Sequence, residues 1–252
     1  MTRGEKMNAL DPAMFEALAS VGERLKSEPG LRAVVLSGVG RAFCAGLDFG
    51  SFEVMAGGEV SEDDLNAGRM TESGLTLLAQ QVSWVWQEIP VPVIAAVHGA
   101  ALGGGAQIAL GADIRIVAPD MKFSILEIKW GLVPDMTGTF RLAQLVRPDI
   151  AMELATTGRV LNGIEAVQMG LATRVTSAPL DDARAMARDI ASKSPHAVRG
   201  VKELLRAAYA GADAPTQFAD ERRVIRTLIG SPNQIESVTA AFEQRPGHFN
   251  DV

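Results

Sequence analysis

The order of the predicted elements constrains the fold of this 252-residue chain more than any other feature. Up to about residue 176, short β-branched segments alternate with segments whose apolar residues recur at helical spacing. Strands are predicted over 31–37, 91–97, 113–118 and 172–176. From Leu180 onward the pattern is helical throughout, with breaks before Pro195, Pro215 and Pro232. We therefore predict an α/β core over residues 1–190 and a helical region over residues 191–252.

Charge and composition exclude several classes of protein. The chain has 24 Lys and Arg against 30 Asp and Glu, a net charge of −6, and has no basic run that would favour nucleic acid. The single cysteine, Cys44, excludes an internal disulfide, and the three histidines lack the spacing of metal ligands, so we predict no metal site. We find no secretory leader and no unbroken apolar run of about 20 residues, which predicts a cytoplasmic protein with no membrane partner.

Two glycine turns are the candidates for a functional site. The first, Arg41 to Asp48, follows a predicted strand, and the second, Gly103 to Gly105, lies between a strand and a helix. Glycine lets a bound oxygen approach the main-chain N–H groups, and the helix N-terminus favours negative charge. Two such amides could form an oxyanion hole. The alternative is a pair of tight turns, while a dinucleotide loop is disfavoured because Ile108 replaces its last glycine.

The segment from Ile94 to Ile114 resembles the signature of the crotonase family, the enoyl-CoA hydratase/isomerase superfamily. Further motifs follow in the family's order: 6–10, 42–48, 123–131, 161–171 and 241–246. The resemblance implies a crotonase-like spiral of ββα units, a helical C-terminal trimerisation region that also closes the pocket, and a homotrimer or a dimer of trimers. It also implies an acyl-CoA thioester as substrate and no separate cofactor.

The resemblance assigns the two turns to the thioester. The N–H groups of Leu47 and Gly104 are expected to hold the thioester oxygen and so stabilise an enolate. Coenzyme A is expected near eight residues of these segments: Lys6, Met7, Ala45, Gly46, Leu47, Asp48, Gly103 and Gly104. The Lys6 ammonium group either pairs with a phosphate of coenzyme A or is a solvated surface group. We expect the glycine-rich, acidic segment 50–74 to form a surface insertion beside the pocket. Family members usually open with a β-hairpin that would lie before Met1, so we expect those edge strands to be absent or to precede the recorded start.

The carboxylate count favours one reaction over another. Hydration uses two carboxylates to hold a water, but Gln107 occupies the first glutamate position of the family and only Glu127 fills the second. We therefore predict a double-bond isomerase, with enoyl-CoA hydration or non-catalytic acyl-CoA binding as alternatives. The apolar neighbours of Glu127 predict a raised pKa. Asp135 is interpreted either as a second proton-transfer group, as in the family's dienoyl-CoA isomerases, or as a helix cap. Gln107 is interpreted either as a residue that orients water or as a hydrogen-bonding residue on a helix surface.

Overall fold

A computed structural model describes residues 1–48, 50 and 68–251 of the chain. Its strands are β1 Val34–Ser37, β2 Val93–Val97, β3 Ala100–Leu102, β4 Ile114–Val117, β5 Lys122–Ser124 and β6 Arg174–Val175. The helices before β6 are α1 Pro12–Lys26, α2 Leu78–Glu88, α3 Gly104–Gly111, α4 Gly138–Leu145, α5 Pro148–Thr157 and α6 Gly163–Gln168. Those after it are α7 Pro179–Ala191, α8 Pro195–Tyr209, α9 Ala214–Leu228 and α10 Pro232–Phe242. Most of the segment predicted as an insertion, 50–74, lies outside the described residues.

Two parallel sheets form the centre of the fold. The larger has the strand order β1-β2-β4-β6, and the register pairs Val35 with Ile94 and Ala95 with Arg115. The smaller sheet pairs β3 with β5, with Ala101 opposite Phe123. Every residue of β2 is buried, because helices cover both faces of the larger sheet.

The two faces of the larger sheet contribute to different apolar clusters. On one face, Val93, Ala95 and Val97 belong to the main core, which includes side chains of α1, α2 and α3. On the other face, Ile94 and Ile116 pack with Ala183 of α7. This arrangement confirms the predicted α/β architecture, since a parallel sheet is stable only when both faces are covered.

Local sequence signals set most helix boundaries. Asp11 accepts a hydrogen bond from Met14 N at 2.9 Å at the start of α1. Asn162 and Glu165 form a reciprocal capping box at α6. The strands β3 and β5 were not predicted; each has three residues, too few for a periodic pattern.

The C-terminal helices α8, α9 and α10 carry large apolar side chains on their exposed surfaces, among them Val201, Phe218, Ile225 and Phe242. Such side chains are compatible with the predicted oligomer, which stays a prediction, as does the division of the chain near residue 190. No helix within the described residues has the length and apolar character needed to cross a membrane.

Candidate active site

The two glycine turns lie side by side because main-chain hydrogen bonds connect the segments that carry them. Cys44 N donates to Ala100 O at 2.9 Å, and Leu102 N donates to Cys44 O at 3.1 Å. The first turn is also tied to Leu10, whose N–H donates to Gly46 O at 2.8 Å. The first turn is therefore held between the N-terminal segment and the smaller sheet.

Gly46 and Gly103 give these turns backbone conformations that favour glycine, with φ of +91° and +52°. A Cβ atom on Gly46 would lie 2.6 Å from Leu102 O and 3.8 Å from Gly104 N. The first turn thus reaches the amide that opens α3. Among the described residues, neither Leu47 N nor Gly104 N donates a hydrogen bond to another group of the protein. Two unused donors therefore lie on adjacent turns, as the oxyanion interpretation requires.

Glu127 lies next to the second turn, at the start of a short 3₁₀ helix, Glu127–Trp130. A Cβ atom on Gly103 would lie 3.3 Å from Glu127 Oε1. Glu127 is only 9% exposed, and its Oε2 atom is buried without a hydrogen-bond partner. Burial raises the pKa of this carboxyl group, and the negative charge of Asp135 raises it further.

The predicted raised pKa of Glu127 is confirmed, but the expected cause is partly wrong. Ile128 and Trp130, two of the four apolar neighbours in the sequence, are 41% and 43% exposed. The carboxylate instead lies against the second glycine turn and the side chain of Gln107, and these two groups help to enclose it. Adjacency in the sequence did not reveal these neighbours. Glu127 is therefore an enclosed group and not a surface glutamate.

Gln107 is fully buried on α3, so its interpretation as a helix-surface residue is wrong. Its Nε2 donates to Glu127 Oε1 at 2.6 Å. Its Oε1 accepts two hydrogen bonds, each of 2.9 Å, from the main-chain N–H groups of Met136 and Gly138. One amide therefore connects Glu127 to the start of α4.

Asp135 lies close enough to Glu127 for its charge to raise the pKa of that carboxyl group. The Asp135 side chain is exposed, yet the protein atoms around its carboxyl group raise its own pKa through desolvation. Its interpretation as a helix cap is wrong, because the N-cap residue of α4 is Thr137 and Gln107 accepts from the Gly138 N–H. The site thus brings two carboxyl groups with raised pKa values into proximity.

The segments expected to contact coenzyme A are also adjacent. Ala45 N donates to Met7 O at 3.0 Å, and Lys6 is exposed beside them at the end of a 3₁₀ turn. Asp48 is bonded to Arg3, whose Nη1 lies 2.6 Å from Asp48 Oδ2. This hydrogen bond lowers the pKa of Asp48. Sequence reasoning missed Arg3, because the bond spans 45 residues.

Comparisons with known proteins identify relatives of this chain. The profile of the enoyl-CoA hydratase/isomerase family matches residues 1–252. Carnitinyl-CoA dehydratase from Proteus mirabilis (strain HI4320) is 38% identical over 205 residues, which are 80% of this chain and 74% of that protein. (E)-Benzylidenesuccinyl-CoA hydratase from Thauera aromatica is 32% identical over 220 residues, or 86% of this chain and 80% of that protein.

A solved structure gives the same result for the fold. The crystal structure of enoyl-CoA hydratase from Mycobacterium tuberculosis H37Rv superposes with a TM-score of 0.84 at 32% identity, covering 99% of this chain and 93% of that chain. The predicted crotonase-like fold is therefore confirmed.

Proposed function

Because this chain belongs to the enoyl-CoA hydratase/isomerase family, we propose that it moves the double bond of an enoyl- or dienoyl-CoA thioester. It is an enzyme of the crotonase superfamily. No cofactor beyond the thioester itself takes part in this scheme.

The thioester oxygen is held by the N–H groups of Leu47 and Gly104. Removal of a proton beside a thioester leaves an enolate, whose negative charge is concentrated on that oxygen. Two main-chain donors that the protein leaves unused stabilise this charge without reorganising, which is usually a large catalytic contribution. Gly104 adds the positive end of the α3 dipole. The CoA moiety runs along the segments of Lys6–Met7 and Ala45–Asp48.

Glu127 acts as the proton shuttle. As a carboxylate it removes a proton from C2 of a 3-enoyl thioester, and the electron pair delocalises into a dienolate. The same carboxyl group then returns the proton at C4, which leaves a 2-enoyl thioester with all atoms conserved. A raised pKa suits both halves of this cycle, because the group must accept and then release a proton near neutral pH.

One observation favours isomerisation over hydration: the Gln107 amide is hydrogen-bonded at both ends. Its oxygen accepts from two main-chain donors and its Nε2 donates to Glu127. An amide cannot accept a proton near neutral pH, and this one is already engaged. A single enclosed carboxylate remains, which is sufficient to move a proton between two carbons. Asp135 is the second proton-transfer group when the substrate is a dienoyl-CoA.

Hydration of 2-trans-enoyl-CoA is the second candidate, favoured by the hydratase and dehydratase names of the relatives. In that case Glu127 Oε2, which has no partner among the described residues, would hold the water, with Asp135 as the other carboxyl group. The oxygen of water would add to C3 and a proton to C2.

Product analysis separates the two reactions. The purified protein is incubated separately with 3-trans-enoyl-, 3,5-dienoyl- and 2-trans-enoyl-CoA, and products are identified by mass spectrometry and chromatography. Isomerisation predicts products of unchanged mass from the first two substrates, lost in Glu127→Gln. Rapid gain of one water by the 2-trans substrate, with no isomerisation of the others, would favour the hydratase. Glu221→Gln, an exposed residue of α9, is the matched control.

A further inference from the structure

A cavity of about 470 Å³ lies away from the glycine turns, among residues of α2, α4 and α8. Four cationic side chains line it: Arg141, Arg199, Lys202 and Arg206. The acidic side chains in its wall are Glu88 and Glu203. The lining therefore carries two more positive than negative charges, in a chain whose net charge is −6. None of the residues assigned above to the thioester site lines it.

The two acidic residues of the wall are paired with cations that do not line the cavity. Glu88 forms an ion pair with Lys26 and accepts from Gln81. Glu203 accepts from Arg223 at 2.5 Å. Their charges are therefore compensated by partners outside the lining.

Arg141 is the clearest unbalanced cation. It is only 7% exposed, and both of its hydrogen bonds are to neutral acceptors: Leu110 O at 3.0 Å and Gln144 Oε1 at 2.6 Å. A guanidinium has five N–H donors, so part of its capacity is unused. Arg199 Nε is buried without a partner, and Arg206 forms no ion pair within the described residues.

Arg115, which does not line the cavity, adds a buried cation, whereas Lys202 of the lining is already paired. Lys202 is satisfied by Asp113, 2.6 Å away, and by two main-chain carbonyl groups. Arg115 is 5% exposed, and its side chain donates only to main-chain carbonyls among the described residues. Burial, followed by the charge of Arg141, lowers its pKa to about 10. The charge of Asp113 also acts on Arg115 and Arg141, but Asp113 is bonded to Lys202, so these three buried cations share one carboxylate. An excess of buried positive charge is costly, and an added anion would relieve this cost.

We propose that this cavity binds a small organic anion, whose carboxylate or phosphate group is held by Arg141 and Arg206. Charge-assisted bonds to guanidinium groups suit both head groups. The walls also include Trp84, Pro90 and Phe140, which favour a ligand with an apolar or aromatic body. The volume lies within the range of small-molecule sites.

Calorimetric titration of the 252-residue protein with phenyl phosphate, benzoate and inorganic phosphate tests the proposal. Sodium chloride at matched ionic strength is the blank. The expected result is saturable binding of phenyl phosphate or benzoate, and the stronger of the two identifies the head group. Saturating coenzyme A should not displace it, which keeps this site distinct from the thioester site.

Variants locate the binding. Arg206→Gln should weaken the binding about tenfold through loss of a charge-assisted bond, and Arg141→Gln should do the same if it folds. Arg222→Gln, an exposed arginine of α9 outside the cavity, should bind as the wild type does. No saturable binding, binding unchanged in Arg206→Gln, or displacement by coenzyme A would each overturn the proposal.

Discussion

The side-chain amide of Gln107 donates to the carboxylate of Glu127 across 2.6 Å in the protein interior. The amide oxygen is held in turn by the main-chain N–H groups of Met136 and Gly138, which fixes which end of the amide faces Glu127. The orientation of the proposed base is thereby connected to the start of α4. This connection determines what substitution at either residue should do.

Replacing Gln107 by glutamate should raise the pH at which the enzyme becomes active. The new carboxylate would lie where an amide donor now lies 2.6 Å from Glu127 Oε1. Two carboxylates at that distance share one proton, so the second ionisation of the pair occurs at higher pH. Because the reaction needs Glu127 ionised, we expect the acidic limb of the kcat/KM profile to move up by about one pH unit or more.

The pH profile of Gln107→Leu serves as the comparison. Leucine removes both the donor to Glu127 and the acceptor of two main-chain N–H groups, but adds no charge. It should lower activity and stability without shifting the acidic limb as far upward as the glutamate does. An acidic limb for Gln107→Glu that coincides with that of the wild type would contradict the predicted coupling.

The raised pKa of Glu127 should cost stability as the pH increases. In the window between the unfolded pKa, near 4.5, and the raised folded value, the folded state binds more protons than the unfolded state. The free energy of unfolding therefore falls as pH rises through that window. Glu127→Gln does not titrate, so its melting temperature relative to wild type should increase with pH. Calorimetric scans from pH 4 to pH 8 measure this difference; a difference independent of pH would contradict the assigned shift.

Gly46→Ala should abolish catalysis at a cost in stability. A Cβ atom there would lie 2.6 Å from Leu102 O and would also strain a backbone with φ of +91°. The strain costs about 1–3 kcal/mol, and the forced shift should displace the adjacent Leu47 and Gly104 amides. Gly211→Ala is the matched control: Gly211 also has φ of +91°, but no atom lies within 4 Å of its added Cβ. It should lose stability and keep activity, as enzyme assays and melting curves would show.

Arg3 and Asp48 should stabilise the first glycine turn as a pair. Both side chains are about one quarter exposed, so solvent screens their 2.6 Å contact. A double-mutant cycle with Arg3→Gln and Asp48→Asn should give a coupling energy of about 0.5–1 kcal/mol. Since the pKa of Asp48 is lowered, this contribution is present above its unfolded pKa and is lost as the pH falls through the folded value. Coupling unchanged at low pH would contradict the assignment.

Sequence reasoning located the parts of the site whose signals are local. The glycine turns and the strand over 91–97 could be predicted because composition and spacing carry that information. Glu127 was identified through the family resemblance.

Other parts depend on residues far apart in the chain. The acceptor role of Gln107 involves donors 29 and 31 residues away, and no local pattern encodes such a contact. The strands β3 and β5 are three residues long and form by pairing with each other and with single residues distant in the chain, Cys44 and Leu161. The cationic cavity depends on α8 packing against the core, which periodicity alone does not determine.

Exchange of the α-proton is the most direct test of enolate formation with Glu127 as base. The wild type, Glu127→Gln and Glu221→Gln are each incubated with a saturated acyl-CoA in heavy water, and loss of the C2 proton signal is followed by NMR. The account predicts exchange by the wild type and by Glu221→Gln, reduced at least about 100-fold in Glu127→Gln. No exchange by the wild type, or exchange undiminished in Glu127→Gln, would contradict it.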